Sequence, residues 1–289
     1  MVGRGIIVGE VVLDVSHLSY AAAFFLLWWT FRRELRRKGI QSPLTRARGF
    51  RRPVRTTLAG AALLLGALAW IAATRLGRAV EQFGVLEVFQ HPAAAWLHAD
   101  GTNGFPGMLA ALATVALVAR LGGWRPLAVL DALAPGLALA YAVGRIGCLV
   151  AGHCYGLPTS LPWGVRDPLG WFPYNRVHPT PAYEALAAGS LFLTLWIRRG
   201  KPRAGGVLFG WFLWGLGMER LLVEIVRRNP RGFLGLTQAQ VLAAAMILAG
   251  MALVWKKPKP AGVRGASRPT PGLPPGSQAS PRAGPRRLP

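Results

Sequence analysis

The chain has 289 residues, of which 52% are hydrophobic and only 16% charged, with 11 tryptophans and a formal net charge of +23. Its apolar residues fall in long blocks instead of alternating with polar ones, which excludes an ordinary soluble core and points to a membrane protein. The basic residues lie mostly between and after those blocks, so the positive-inside rule accounts for the charge and nucleic-acid binding is set aside.

Seven blocks approach the ~20 residues that a spanning helix requires. They are Val11–Phe31, Leu58–Thr74, Gly107–Leu121, Leu127–Val150, Pro181–Ile197, Gly205–Val226 and Gln238–Trp255. The predicted fold is therefore an all-α integral membrane protein with seven transmembrane helices. Connecting segments alternate in charge. The first loop is rich in arginine between Arg32 and Arg55; later rich segments hold Arg120 and Arg125, then Arg198, Arg199, Lys201 and Arg203, then Lys256, Lys257 and Lys259. The richer side is read as cytoplasmic, which puts the N-terminus outside and the C-terminus inside. An odd number of spans demands the same opposition.

No charged leader followed by a cleavable apolar region opens the chain, so no removable signal peptide is expected. From residue 258 to 289 the composition is Pro, Gly, Ser and Arg. Such a tail buries too little apolar surface to offset its ordering entropy, and a disordered basic tail is expected after a membrane domain spanning 1–257. Internal repeats, which mark many transporters, are not evident.

Several polar groups sit where the topology places the outer half of the membrane. Arg145 lies between glycines in Gly144-Arg145-Ile146-Gly147, deep in an apolar run. An arginine there is costly to place in lipid and implies a protein-lined or wet cavity. Arg220 and Glu224, four apart on a predicted helix, share a face, as do Glu224 and Arg227. Two readings stay open: an ion-pair network with Arg145 as a further member, or a site for an anionic headgroup, which arginine grips bidentately. Gly144, Gly147, Gly152 and Gly156 permit either close helix approach or an unwound helix end.

Cys148 and Cys154 are the only cysteines, too few for a disulfide framework or a thiolate zinc site. On a helix, six residues would separate them by about 9 Å of rise, so free thiols are expected. His153 and Cys154 are adjacent, and neighbours do not face each other on a helix, which argues against a catalytic dyad. His91, His98, His153 and His178 show no recognisable ligand spacing, and no metal is expected.

Taken in order, these residues resemble a known family. Gly144-Arg145-Ile146-Gly147-Cys148, then Gly152-x-Cys-Tyr-Gly156 and Pro162-Trp163-Gly164-Val165, are similar to the signature of bacterial prolipoprotein diacylglyceryl transferase. Leu130-Asp131-x-x-Ala134-Pro135 precedes them; His178-Pro179-Thr180-x-x-Tyr183-Glu184, Arg220-x-x-x-Glu224-x-x-Arg227 and Leu236-Thr237-Gln238-x-Gln240 follow. The combination covers Leu127 to Trp255 and is specific, although each piece is weak alone. The N-terminal third matches loosely, through Ser19-Tyr20 and Thr74-Arg75-Leu76.

The resemblance implies a multi-pass enzyme of the bacterial inner membrane, working as a monomer without a cofactor. It would move the diacylglyceryl group of phosphatidylglycerol to the lipobox cysteine of a prolipoprotein, the first step of lipoprotein maturation, and release glycerol phosphate. By the same resemblance Arg145 and Arg220 hold the phosphate and glycerol parts of the lipid, and Glu224 orients Arg220. Tyr20, Gly144, Gly147, Gly156, His178, Tyr183, Glu184 and Arg227 are carried over as lipid-binding.

One departure concerns the base. Many members carry a His-Gly-Gly motif before the third span, whereas this chain reads Thr102-Asn103-Gly104-Phe105-Pro106-Gly107. Asn103 is counted with the lipid-binding residues, but an amide cannot accept the thiol proton at neutral pH. His98 and His153 are the substitutes nearest the motifs in sequence. Two other functions compete with the transferase: a divergent paralogue with another thiol acceptor or a lipid-binding role only, and a small anion transporter.

Overall fold

The computed structural model describes residues 5–8, 11–40, 53–98, 104–167, 170, 172, 175–201, 204–227, 229 and 235–255. Asn103, most of the first basic loop and the tail from residue 258 lie outside the described residues.

The chain opens with β1 (Gly5–Val8) antiparallel to β2 (Val11–Asp14), Gly5 opposite Asp14. Then follow α1 (Val15–Arg37), α2 (Pro53–Phe83), α3 (Val85–Gln90), α4 (Pro92–His98), α5 (Gly104–Leu121) and α6 (Pro126–Ala151). Two-residue strands β3 (Val165–Arg166) and β4 (Arg176–Val177) pair in the long loop before α7 (Thr180–Arg198). The chain continues through α8 (Val207–Glu224) and α9 (Gln238–Val254).

A helix of 17 to 31 residues thus stands at each of the seven apolar blocks. Several boundaries differ from expectation: the first helix continues past Phe31 to Arg37, and the second starts at Pro53 instead of Leu58. The first block was predicted helical from Val11, but Val11–Asp14 is strand, with β-branched Val11 paired to Val8 and Val12 to Ile7. The second helix runs past Thr74 to Phe83, since its final turns are polar and an apolar block cannot reveal them; Arg78 and Glu81 pair there at 3.2 Å.

Residues Ala59–Phe83 and Pro126–Ala151 are long and apolar enough to cross a bilayer, and Pro106–Leu121 and Gln238–Val254 are apolar but shorter. Large apolar side chains also face outward on most of the long helices, among them Phe25, Leu64, Leu117, Leu193, Leu222 and Leu248. That is the surface a hydrocarbon environment accepts and water does not.

α6 is the central helix, packed against α1, α5, α7 and α8. Its core positions Val129, Leu133 and Ala138 join Phe31 of α1, Leu195 of α7 and Phe212 of α8 in one buried cluster. Asp131, near the start of α6, accepts the backbone N–H groups of Gly206 at 2.7 Å and Phe209 at 2.8 Å. These are N–H groups of the first turn of α8, which its own helix leaves without acceptors. The Leu130-Asp131 motif is therefore a cap supplied from a neighbouring helix.

α8 and α9 approach backbone to backbone. A Cβ on Gly210 would lie 2.8 Å from the Gly250 carbonyl, and one on Gly250 would lie 2.6 Å from the Gly210 carbonyl, so the pair tolerates no side chain. α9 begins with a capping box: Thr237 Oγ1 accepts from Gln240 N at 3.2 Å, and Gln240 Oε1 accepts from Thr237 N at 3.0 Å. The Thr237-Gln238-x-Gln240 motif is thus a helix start.

Charged groups gather at two opposite ends. At one end wholly buried Glu34 of α1 accepts Arg37 at 2.8 Å and faces Arg199 at 3.6 Å, just past α7. The other end holds the C-terminal part of α6, the start of α7 and the end of α8.

Candidate active site

Glu184 lies one turn into α7 with its side chain wholly buried. Its Oε1 accepts Arg220 Nη1 from α8 at 3.1 Å and Arg227 Nη1 at 2.9 Å. Its Oε2 faces Arg145 Nε from α6 at 3.2 Å. Three guanidinium groups from three stretches of chain converge on one carboxylate. A buried ion is stable only when it is paired and hydrogen-bonded like this.

Tyr141, one turn before Arg145 on α6, completes the inner ring. Its hydroxyl accepts Arg145 Nη2 at 3.0 Å and donates to Glu184 Oε1 at 3.4 Å. Glu224 pairs with Arg220 Nη2 at 3.0 Å and accepts Asn229 Nδ2 at 2.7 Å. Three arginines thus contact two carboxylates, which leaves these paired groups one positive charge in excess. Arg145 is the most exposed of the three at 19%, against 10% and 13% for Arg220 and Arg227. It is the guanidinium best placed to meet a molecule from outside.

The predicted residues sort clearly against this frame. Arg145, Glu184, Arg220, Glu224 and Arg227 form one network. Arg227 was expected on Glu224 by helical spacing, but α8 ends at Glu224 and the following turn carries Arg227 to Glu184 instead. Glu184, carried over as a lipid contact, is fully enclosed by the chain's own groups and organises the arginines. Tyr183 Oη accepts Trp163 Nε1 at 2.7 Å and lies 3.3 Å from His178 Nδ1, which ties the loop after α6 to the start of α7.

The glycines divide as well. Gly147 packs against Ser19 of α1 so closely that any side chain would collide. Gly156 is enclosed by Thr180 and His178 and donates its N–H to the His178 carbonyl at 2.9 Å. Both are packing positions. Gly144 leaves room, with only the edge of the Tyr20 ring 3.9 Å from an added Cβ. Tyr20 is half-exposed and hydrogen-bonds to Cys148.

Of the two histidines offered as bases, His98 ends the short α4, exposed to the outside. No contact among the described residues links it to the arginine network. His153 does lie beside the network, and here a helical assumption fails. α6 stops at Ala151 because Gly152 takes a left-handed C-cap with φ 80°. The chain then turns, and Cys154 adopts a positive φ of 66°. His153 Nδ1 comes to 3.3 Å from Cys154 Sγ, although adjacent residues on a helix would diverge. The ligand atoms of Cys148, His153 and Cys154 all lie within 4.8 Å of one another. The hydrogen bond from Cys148, helped by His153, Arg227 and Arg145, holds the Cys154 thiol well below the usual cysteine range.

Three residues absent from the predicted site belong to it. Tyr141 was legible as the position four before Arg145 on the same helix face. Trp163 sat inside a quoted motif without an assigned partner. Glu219 is buried, with neither carboxylate oxygen hydrogen-bonded among the described residues.

Comparison with known proteins bears directly on this arrangement. A family model described as prolipoprotein diacylglyceryl transferase matches residues 7–256. The chain belongs to this family. A phosphatidylglycerol–prolipoprotein diacylglyceryl transferase of Cupriavidus pinatubonensis is 33% identical over 254 residues, covering 86% of this chain and 88% of the relative. The enzyme of that name from Chromohalobacter salexigens is 33% identical over 251 residues, covering 84% and 88%. One from Nitrosospira multiformis reaches 37% over 205 residues, covering 67% and 68%. The match includes the β1–β2 hairpin from residue 7 onward, well beyond the region that the motifs alone covered.

Proposed function

We propose that this chain is a phosphatidylglycerol–prolipoprotein diacylglyceryl transferase. It moves the diacylglyceryl group to a prolipoprotein cysteine and releases glycerol phosphate. The observation that carries the reading is the buried Arg145–Glu184–Arg220 network with Arg145 partly exposed at its edge. In the reaction the thiolate sulfur forms a bond to the terminal glyceryl carbon. The carbon–oxygen bond to phosphate breaks, and its electron pair leaves on the phosphate oxygen. Guanidinium groups held in place beforehand stabilise the developing charge without reorganising.

The chain spans the inner membrane seven times, with the N-terminus outside, and acts as a monomer on lipid and signal peptide. Two observations support that topology. The Arg145, Glu184 and Arg220 positions fall at one end of the bundle, and the Glu34–Arg37–Arg199 cluster falls at the other, as strict alternation of the seven helices requires. The second end coincides with the arginine-rich loops, which the positive-inside rule places in the cytoplasm.

The test is direct. Purified protein in phosphatidylglycerol-containing vesicles should lipidate a lipobox peptide and release glycerol phosphate in equal amount. Transfer that persists unchanged in both Arg145→Ala and Arg220→Ala rejects the assigned roles, and no transfer by folded wild-type protein rejects the reading.

A further inference from the structure

Cys148, His153 and Cys154 are not used by the arginine network, yet the end of α6 brings them together. Cys148 is buried on the last turn of α6, and the other two follow the left-handed Gly152. Cys154 is the only non-glycine residue with positive φ among the described residues. That conformation is unfavourable for a side chain bearing a Cβ, and such residues persist where the surroundings hold them for a purpose. Here it turns the Cys154 sulfur back toward Cys148 and His153.

We propose that Cys148 Sγ, Cys154 Sγ and His153 Nδ1 form a binding site for a thiophilic d¹⁰ cation of the Zn²⁺ type. Two sulfurs and one imidazole are the donor set such ions prefer. Around a tetrahedral ion with metal–sulfur bonds of about 2.3 Å, the sulfurs stand roughly 3.8 Å apart. The three ligand atoms already lie within 4.8 Å of one another, so closing onto an ion asks for shifts of about 1 Å. Three protein ligands leave one tetrahedral position for a ligand from outside.

Resting on the proposed transferase reading, that ligand is the acceptor thiol. A thiol loses its proton to water on binding such an ion, and the bound thiolate remains nucleophilic. Its sulfur then bonds to the glyceryl carbon while the carbon–oxygen bond to phosphate breaks, and the resulting thioether is a weak ligand that departs. The site supplies a route to thiolate in a chain with asparagine at 103.

Co²⁺ is the probe, added to the reduced, chelator-stripped full chain in phosphatidylcholine nanodiscs. One equivalent should give a thiolate-to-cobalt charge-transfer band, and Zn²⁺ should abolish it by displacement. Cys154→Ser and His153→Ala should each weaken binding at least ten-fold, and Cys148→Ser with Cys154→Ser should remove the band. Retained helical circular dichroism shows that each variant is folded. A lipobox peptide with cysteine should intensify the band, and its serine version should not.

No band in the wild type, or the same band in the double variant, overturns the site. Isolation under thiol-blocking conditions with Cys148 and Cys154 joined in a disulfide overturns it too. An unchanged spectrum with the cysteine peptide removes the acceptor-thiol assignment. Lipid transfer without cobalt binding defeats the site and leaves the reaction standing. Cobalt binding without transfer does the reverse.

Discussion

Arg145 and Glu184 meet at 3.2 Å across two helices, one donor ending α6 and one acceptor beginning α7. The same carboxylate also holds Arg220 and Arg227, so one buried anion sets the position of all three cations. The ion-pair and ligand-binding readings of the sequence are therefore not rivals. The network positions the arginines and leaves one edge of Arg145 exposed, which the proposed reading assigns to the lipid phosphate.

Glu184→Gln should be among the most damaging single substitutions. Removing one charge from a buried network leaves the others uncompensated, at a cost of about 3–5 kcal/mol. We expect a lowered unfolding temperature in detergent together with loss of lipid transfer. Unfolding and activity equal to wild type would show that the arginines hold their places without it.

Arg145→Lys separates charge from geometry. A lysine ammonium keeps the positive charge but cannot place Nε toward Glu184 and Nη2 toward Tyr141 together. Transfer should fall on the order of 10²-fold, the scale for losing one preorganised donor to a developing anion. Unfolding should change far less than in Glu184→Gln. Near wild-type rates in Arg145→Lys would mean that charge alone suffices.

How much of this was legible in the sequence depended on periodicity. Apolar blocks located the seven long helices among the described residues, and motif order selected Arg145, Glu184, Arg220 and Glu224. What failed were arguments that carried helical geometry past a helix end. Arg227 was assigned to Glu224, and Cys148, His153 and Cys154 were held apart, because α8 and α6 were taken to continue. A glycine C-cap and one left-handed cysteine rearranged both the distances and the partners. Pairings between helices, such as Asp131 with the start of α8, carry no periodic signal at all.

Gly147→Ala tests the seam between α6 and α1. A Cβ at this position runs into Ser19, so the helices must separate at the level of Tyr20 and Arg145. We expect reduced thermal stability and reduced transfer, with partial rescue in the double variant Ser19→Gly, Gly147→Ala. Rescue identifies the collision as the cause, since Ser19→Gly otherwise removes a hydroxyl and weakens α1, and would by itself only destabilise. If Gly147→Ala alone behaves like wild type, the packing there is looser than the distances require.

The two cysteines should differ in reactivity toward alkylation in chelator-treated protein. Cys154 accepts the hydrogen bond from Cys148 and lies near Arg227 and Arg145, which together favour its thiolate. A thiol held below its ordinary range stays ionised as pH falls through that range, so iodoacetamide should modify Cys154 at pH values where an ordinary cysteine is protonated and slow. Cys148, buried on α6 and acting as the hydrogen-bond donor, should react later and mainly after Cys154 is blocked. Peptide mapping after timed alkylation between about pH 5 and pH 9 reads both rates around the ordinary thiol range. A Cys154 rate that climbs only as pH approaches that ordinary range would show that the hydrogen bond does not hold the thiolate. Equal rates at the two positions would show that the sulfurs do not share a proton in this way.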